Sequence, residues 1–256
     1  MITTEIGYST SSTITVRGHD LANEILGKLD FVEMISLLVL KRLPSEEEKK
    51  MVNLILVTAA DHGLTPSAMS ARLTYLGAPE AMQGAVAAGL LGAGSVYLGT
   101  TQNAAEMLIG AAKSLASSAT EADITEVALE LVRQHRAKKR PILGVGHPIH
   151  VNGDPRVAVL REQAKANGFY GIHWRVMDAI ADVIQREFGR TLPLNAVGAV
   201  AAIIADMGFD PLLGRGMMLM GRCAGLIAHV LEERESPIGA KLWDLVLEQD
   251  PRNKAP

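Results

Sequence analysis

Residues 195–207 read NAVGAVAAIIADM and predict a helix buried on every side. The stretch carries no charge before Asp206, and its alanines and glycines let neighbouring helices approach closely. Pro193 stands just before it, and Gly208 follows where a left-handed residue can end a helix. The uncharged run 191–205 is too short to cross a bilayer. This stretch therefore indicates the centre of a helical core rather than a membrane segment.

Helix start signals recur along the rest of the chain. Three capping-box patterns are present, Asp30 with Glu33, Ser45 with Glu48, and Thr120 with Asp123. Prolines stand where a first helical residue is expected at Pro66, Pro79, Pro155 and Pro237. Strand-like alternation is confined to residues 13–16. We therefore predict an all-α chain with roughly ten or more helices.

Composition limits the classes of partner and location. With 256 residues, 48% of them hydrophobic, the chain can form one large domain, or a large domain with a small lid. The low aromatic content of 4% and the net charge of -3 argue against nucleic-acid binding. Cys223 is the only cysteine, which fits a reducing cytoplasm. The first residues lack the pattern of a signal peptide.

The strongest local signal is the loop 144–156, GVGHPIHVNGDPR. Gly144 and Gly146 allow the backbone to approach a ligand closely, and the helix start that follows offers free N–H groups to an anion. The pattern leaves His147 equally open to ligand contact and to loop packing. His150 is the weaker candidate of the two histidines.

Two charged features flank that loop. Asp154 is most simply an N-cap, whereas Arg156 in the first helical turn opposes the helix dipole and favours a carboxylate or phosphate partner. The basic run 136–140, RAKKR, has two interpretations. We favour a helix C-terminus, where cations suit the dipole; the alternative is a site for a phosphorylated ligand such as CoA.

Two more segments carry candidate chemistry. In 59–67, AADHGLTPS, Asp61 and His62 lie at a helix end and are either caps or site residues. In 220–233, MGRCAGLIAHVLEE, Arg222 and His229 are seven residues apart and share one helix face. A buried arginine on such a helix needs an anion, either a structural carboxylate or a substrate.

These segments together resemble the citrate synthase superfamily, and most closely its citryl-CoA lyases. The segment VTAADHGLTPS is similar to VTADHGPAVS, the 144–156 loop to GxGHRVxxxxDPR, and GRCAGLIAH to GRSMGFIGH. The stretch LNAVGAVAAIIADM is similar in register to LNVDGLIGVAFVDM, and the N-terminal VRGHDLANEI also resembles the family. The resemblance covers nearly the whole chain in order.

The resemblance implies a fold and a chemistry. The fold would be an all-α, citrate-synthase-like one, with a large helical domain formed by 1–145 and 226–256 and a smaller helical lid formed by 146–225. The chain would form a homodimer or higher homo-oligomer and would act on a CoA thioester and a carboxylic acid through a thioester enolate, with no metal. The implied site is His147, His62 and Tyr97 for catalysis, Arg156, Arg222, His229 and Asn195 for substrate binding, and Gly144 and Gly146 beside CoA.

The sequence also departs from the family pattern. The family's general-base aspartate falls at Val197, which cannot move a proton. The enolate-binding histidine of the synthases falls at Tyr97, a departure that the lyases share. Pro148 and Ser236 stand where arginines are found in the family, and fewer arginines suggest a substrate with fewer carboxylates than citryl-CoA.

Three functional hypotheses follow from this mixture. The first is an active carbon–carbon lyase on a CoA thioester other than citryl-CoA, in which Tyr97, His229 or Asp206 moves the proton. The second is the citryl-CoA lyase or citrate synthase reaction itself. The third is a non-catalytic acyl-CoA-binding homologue or partner subunit, which the valine at 197 favours.

Overall fold

The computed structural model describes residues 1–116 and 118–253. Eleven α-helices occupy most of this part of the chain. They are α1 Phe31–Leu40, α2 Glu46–Ala60, α3 Pro66–Gly77, α4 Met82–Ala93, α5 Thr100–Ala112, α6 Glu121–Ala137, α7 Pro155–Ala166, α8 Ile172–Phe188, α9 Ala196–Asp206, α10 Pro211–Glu235 and α11 Gly239–Gln249. Short π-helical turns cover Leu21–Ile25 and Gly94–Leu98. The prediction of an all-α fold is confirmed.

Local capping signals set most helix starts. The three predicted capping boxes are all present, each with the side chain and backbone hydrogen bonds of the motif. Pro66 and Pro155 are first helical residues, as predicted. Each box satisfies two backbone N–H groups that the helix itself leaves free, so these starts are fixed by residues three apart.

Two predicted helix starts are wrong. Pro79 lies in a turn closed by the Ala81 N–H on the Ala78 carbonyl, and α4 begins only at Met82. Pro237 precedes α11 by two residues, because the carboxylate of Glu233 accepts the N–H groups of Ile238 and Gly239. A contact between distant elements therefore decides where α11 begins.

Helix α9 lies at the centre of the fold, as its composition predicts. Nine of its residues are buried, and it packs against α5, α7 and α8. Gly198 lies so close to the backbone of Gly144 that a Cβ would sit 2.6 Å from its carbonyl oxygen. Gly208 has φ of +69°, the left-handed conformation expected after the helix. Helix α10 packs on the other side of the core, against α2, α3, α4 and α5.

A small antiparallel sheet precedes the helices. Its strands are β1 Gly7–Ser9, β2 Ile14–Val16 and β3 His19–Asp20, in the order β1-β2-β3. The predicted alternating segment corresponds to β2. Across the residues described here, no helix combines the length and the apolar character that crossing a membrane requires.

Candidate active site

Glycines on α10 bring the end of α2 against the middle of that helix. A Cβ on Gly221 would overlap the carbonyl oxygen of Leu56, and one on Gly225 would overlap that of Ala60. Only a helix without side chains at these two positions can lie this close. The turn after α2, which carries His62, is thereby held beside Arg222.

The loop 144–156 fixes both the orientation and the tautomer of His147. The Nδ1 atom of His147 accepts the backbone N–H groups of Ile149, at 3.1 Å, and His150, at 3.0 Å. An accepting Nδ1 is unprotonated, so the proton of the neutral ring lies on Nε2. His147 therefore presents an N–H donor, which suits an oxygen atom of a substrate.

Three imidazoles meet at this point. The Nε2 atoms of His62 and His150 are 3.4 Å apart, and the ring centroids of His147 and His150 are 4.4 Å apart. Burial, with the charge of Arg156 and the other rings, lowers the pKa of His62. Burial, with His150, also lowers the pKa of His147. Both rings are therefore neutral near pH 7.

A cavity of about 170 Å³ joins these residues to the arginines. It brings together five of the predicted site residues, namely His62, Tyr97, His147, Arg156 and Arg222. Val197 also lines it. Threonine and serine hydroxyl groups of Thr58, Thr65 and Ser67 contribute further to the wall. The segments singled out in the sequence thus converge on one pocket.

Arg156 enters the pocket already paired. Its Nε and Nη2 donate to the two carboxylate oxygens of Asp154 at 2.9 and 2.7 Å. Asp154 also accepts the N–H of Ala196, at the start of α9, at 3.0 Å. Although burial opposes ionisation, the hydrogen bonds from Arg156 and Ala196 hold the pKa of Asp154 well below its usual range. Asp154 is the N-cap that the sequence predicts, and it also neutralises Arg156.

Arg222 is in the opposite situation. The residue is only 8% exposed, and its Nε is buried without a hydrogen-bond partner among the described residues. Burial lowers the pKa of this guanidinium. No ion pair involving Arg222 occurs within 1–116 and 118–253. A buried cation in this state is stabilised by an anion from outside the chain.

Other predicted site residues have contacts of a structural kind. Asn195 is the N-cap of α9, accepting from the Gly198 N–H and donating to the Gly146 carbonyl. Gly146 in turn donates its N–H to the Pro193 carbonyl. Gly144, with φ of +90°, packs against Gly198. These residues hold the loop on α9 and do not line the cavity.

His229 and Asp206 also lie outside the cavity wall. His229 Nε2 is 2.9 Å from a carboxylate oxygen of Asp61, and its Nδ1 accepts from Arg72. Asp206 accepts the N–H groups of Gly171, His173 and Trp174 at the start of α8. The polar atoms of both residues are therefore engaged within the fold. That His229 binds substrate, and that either residue moves the proton, remain predictions.

His150 lies nearer to the site than its sequence pattern indicates, although it does not line the cavity. The sequence pattern favours His147 over His150, yet the Nε2 atom of His150 lies 3.4 Å from that of His62. The spacing of His147 and His150, three residues apart in a loop that turns back, was the available signal.

The three histidines offer ligand atoms within 4.8 Å of one another, a spacing at which a metal ion could be held. Two observations disfavour a cation there. The backbone hydrogen bonds to Nδ1 of His147 place its proton, and not a lone pair, on Nε2. In addition, the nearby charges of Arg156 and Arg222 lower the pKa of His62 and so disfavour further positive charge beside it. The cluster fits an anion or a neutral oxygen better.

A family model described as citrate synthase, C-terminal domain, matches residues 12–243. The chain belongs to the citrate synthase family. "Citrate synthase 2" of Bacillus subtilis is 29% identical over 198 residues, covering 75% of this chain and 49% of that protein. The chain described here thus spans about half the length of the curated relatives it matches.

Solved structures agree with this membership. A citryl-CoA lyase from Hydrogenobacter thermophilus has a TM-score of 0.80 and 34% identity, covering 92% of this chain and 88% of that one. An ATP citrate lyase from Methanosaeta concilii, solved in complex with (3S)-citryl-CoA, has a TM-score of 0.76 and 23% identity, covering 91% and 39%. The second likeness supports the fold alone. The predicted citrate-synthase-like fold is confirmed.

Proposed function

We propose that this protein is a carbon–carbon lyase acting on a CoA thioester, in a citryl-CoA lyase-like reaction that proceeds through a thioester enolate. The substrate is a 3-hydroxyacyl-CoA and need not be citryl-CoA. The observation that carries the proposal is the buried, unpaired Arg222 in the same cavity as the N–H donor of His147. An anion and a neutral oxygen atom of one substrate fit this pair of groups.

The reaction needs an acceptor for the hydroxyl proton and a donor for the enolate oxygen. In the proposed step, the C3 hydroxyl loses its proton, the C2–C3 bond breaks, and its electron pair forms the thioester enolate. Neutral His62, beside His150, offers an imidazole for the proton. His147 donates from Nε2 to the oxygen on which charge develops.

Protonation of the enolate at C2 lacks its usual residue. We infer that Val197 stands where the family has an aspartate, and the lining of the cavity contains no carboxylate among the residues described. Of the three replacements considered, Tyr97, His229 and Asp206, Tyr97 lines the cavity. We therefore assign C2 protonation to Tyr97 or to a water that it holds.

A basic groove at the start of the 144–156 loop suits the phosphates of CoA. The groove has a volume of about 490 Å³ and includes Arg136, Lys139, Arg140 and Arg190. Val145, two residues before His147, lines the same groove. Arg136 itself stacks on Phe188, 3.8 Å from the ring centroid, so the helix C-terminus interpretation also fits this residue. We propose that the remaining cations receive the nucleotide end of CoA.

Further parts of the proposal rest on the family and on the surface. We propose a homodimer or higher homo-oligomer; exposed apolar side chains such as Leu91, Val57 and Trp243 support it. A cytoplasmic location, the absence of a metal, and the division into a large domain and a 146–225 lid remain proposals. Condensation in the citrate synthase direction would use the same atoms in reverse.

The second candidate is a non-catalytic acyl-CoA-binding homologue or partner subunit. The absence of a carboxylate from the described cavity wall favours it. It predicts binding of a CoA thioester without turnover.

One experiment separates the two. The protein is incubated with a panel of 3-hydroxyacyl-CoA and simple acyl-CoA thioesters in heavy water, and products are followed by mass spectrometry. We expect cleavage, or deuterium at C2, in the native protein and in His19→Ala, whose exposed histidine lies on the sheet. Both signals should disappear in His147→Ala. Binding without either signal would favour the non-catalytic alternative, and no binding would overturn the site.

A further inference from the structure

The charges that line the pocket point to the kind of acid it accepts. Arg156 and Arg222 are the ionised side chains of the cavity wall, within the range that the structure covers. The number of substrate carboxylates that the pocket can neutralise therefore depends on how far each arginine is already neutralised.

Arg156 supplies little net charge to a ligand. Two of its donor nitrogens hold Asp154, whose side chain is fully buried. Asp154 is also bound to the backbone N–H groups of Arg156 and Ala196. A ligand carboxylate at Arg156 would have to share the charge of the guanidinium with the buried carboxylate of Asp154, so Arg156 acts as less than a full positive charge.

The imidazoles add no charge near neutral pH. His62 and His147 face Arg156, and burial together with neighbouring cations keeps both rings in the neutral form. Arg222 is then the arginine of the pocket that no carboxylate binds directly among the described residues, with Asp61 attracting it from a greater distance. One carboxylate neutralises it, whereas a second would leave a net negative charge in a largely buried space.

Three hydroxyl groups also lie on the wall, but those of Thr58 and Ser67 already donate to the carbonyl oxygens of Leu54 and Gly89, and that of Thr65 accepts the Ala68 N–H. The rest of the wall is apolar. It is formed by Ala59, Ala93, Leu98, Ala196, Val197 and Met218. These residues offer no hydrogen-bond donor from their side chains to a second carboxylate. An alkyl group is the substituent that such a wall accommodates without a desolvation cost.

Resting on the function proposed above, we infer that the acid fragment handled by this pocket is a 2-oxo acid with one carboxylate and an apolar side chain. The thioester substrate then carries a hydroxyl, a carboxylate and an alkyl group on C3. When the C2–C3 bond breaks, C3 keeps the oxygen as a carbonyl, its hydroxyl proton leaves to a base, and C2 takes the electron pair and then a proton. No oxidant or reductant is required.

A matched pair of acids tests the inference. Both 2-oxobutyrate and oxaloacetate have four carbons, and they differ by a terminal methyl group against a terminal carboxylate. Binding is measured by calorimetry with the native protein and with the variants Arg222→Gln, Arg222→Lys and Arg234→Gln. Arg234 lies on the same helix but is exposed, so its variant is the control.

We expect the native protein and Arg234→Gln to bind 2-oxobutyrate about tenfold or more tightly than oxaloacetate. Arg222→Gln should lose this binding, and Arg222→Lys should keep part of it. If Arg222→Gln does not fold, the ratio of the two acids in the native protein still decides the question. Tighter binding of oxaloacetate, or no binding of either acid, would overturn the inference.

Failure of this inference is distinguishable from failure of the proposed function. A protein that cleaves a CoA thioester in heavy water but prefers oxaloacetate keeps the lyase function and loses the single-carboxylate assignment. A protein that binds 2-oxobutyrate but neither cleaves nor exchanges any thioester loses the lyase function and keeps the assignment.

Discussion

Two buried arginines, Arg72 and Arg222, each lie near a histidine, but their surroundings are opposite. Arg72 is 2% exposed and is bound by Glu232, Glu233 and His229. Arg222 is 8% exposed and has no such partner in the described chain. An arginine saturated with carboxylates holds the fold, whereas an unsaturated one in a cavity is available to a ligand.

The saturated side also supports the pocket. The carboxylate of Glu233 accepts N–H groups at the start of α11 and also binds Arg72. Arg72 in turn donates to Nδ1 of His229. This leaves the proton of His229 on Nε2, where it is donated to Asp61. Asp61 immediately precedes His62, so the network holds the backbone from which a site residue projects.

The largest effect is expected from removing Arg72. In Arg72→Met, the carboxylate of Glu233 stays buried without its counter-charge, and we expect the free energy of unfolding to fall by about 3–5 kcal/mol. Urea unfolding followed by circular dichroism measures this. Arg133→Met on the exposed face of α6 is the control and should stay within about 0.5 kcal/mol. If Arg72→Met also lost no more than about 0.5 kcal/mol, the structural role of Arg72 would be contradicted.

Arg222→Met should change the stability of the protein in the opposite direction to Arg72→Met. Since this guanidinium is buried and unpaired, its removal relieves a desolvation cost, and we expect the free energy of unfolding to rise by about 1 kcal/mol. The same urea measurement decides it. A loss as large as that of Arg72→Met would mean that Arg222 has a partner within the folded protein.

An effect smaller than that of Arg72→Met is also expected from His229→Ala. It removes one link between Arg72 and Asp61, and we expect a loss of about 1–2 kcal/mol in stability. If the network positions His62, the NMR resonances of the His62 ring should also shift. His229→Gln, which can donate to Asp61 and accept from Arg72, should restore part of both. Unchanged His62 resonances in His229→Ala would separate the network from the pocket.

The difference between the two arginines shows what the sequence could predict. Helix caps such as Asp30 with Glu33 were predictable because donor and acceptor are three residues apart. The family motifs identified Arg222 and His147, which do line the pocket. The partners of Arg72 lie 157 or more residues away, so no local pattern distinguishes a saturated arginine from an open one.

The same reason explains what else the sequence could not predict. His229 resembles a site residue in its motif, but its partners Arg72 and Asp61 come from other elements. The start of α11 depends on Glu233, on the preceding helix, and a proline rule cannot foresee that contact. Asp154 was predicted as a cap, whereas its neutralisation of Arg156 requires side-chain geometry.

The smallest effect concerns pH. Folding lowers the pKa of His62 and His147 below the ordinary value of 6.5. Between those lowered values and 6.5, the unfolded chain binds more protons than the folded one, so stability falls as pH falls through this window. Urea unfolding at several pH values across the window measures the slope of the free energy of unfolding against pH.

In Arg222→Met the pKa of His62 should move back toward 6.5, because Arg222 is one of the charges that lower it. The slope of stability against pH should then become shallower in Arg222→Met. The control variant Arg133→Met, at an exposed position, should keep the native slope. Equal slopes in the native protein and both variants would show that Arg222 does not act on the imidazoles.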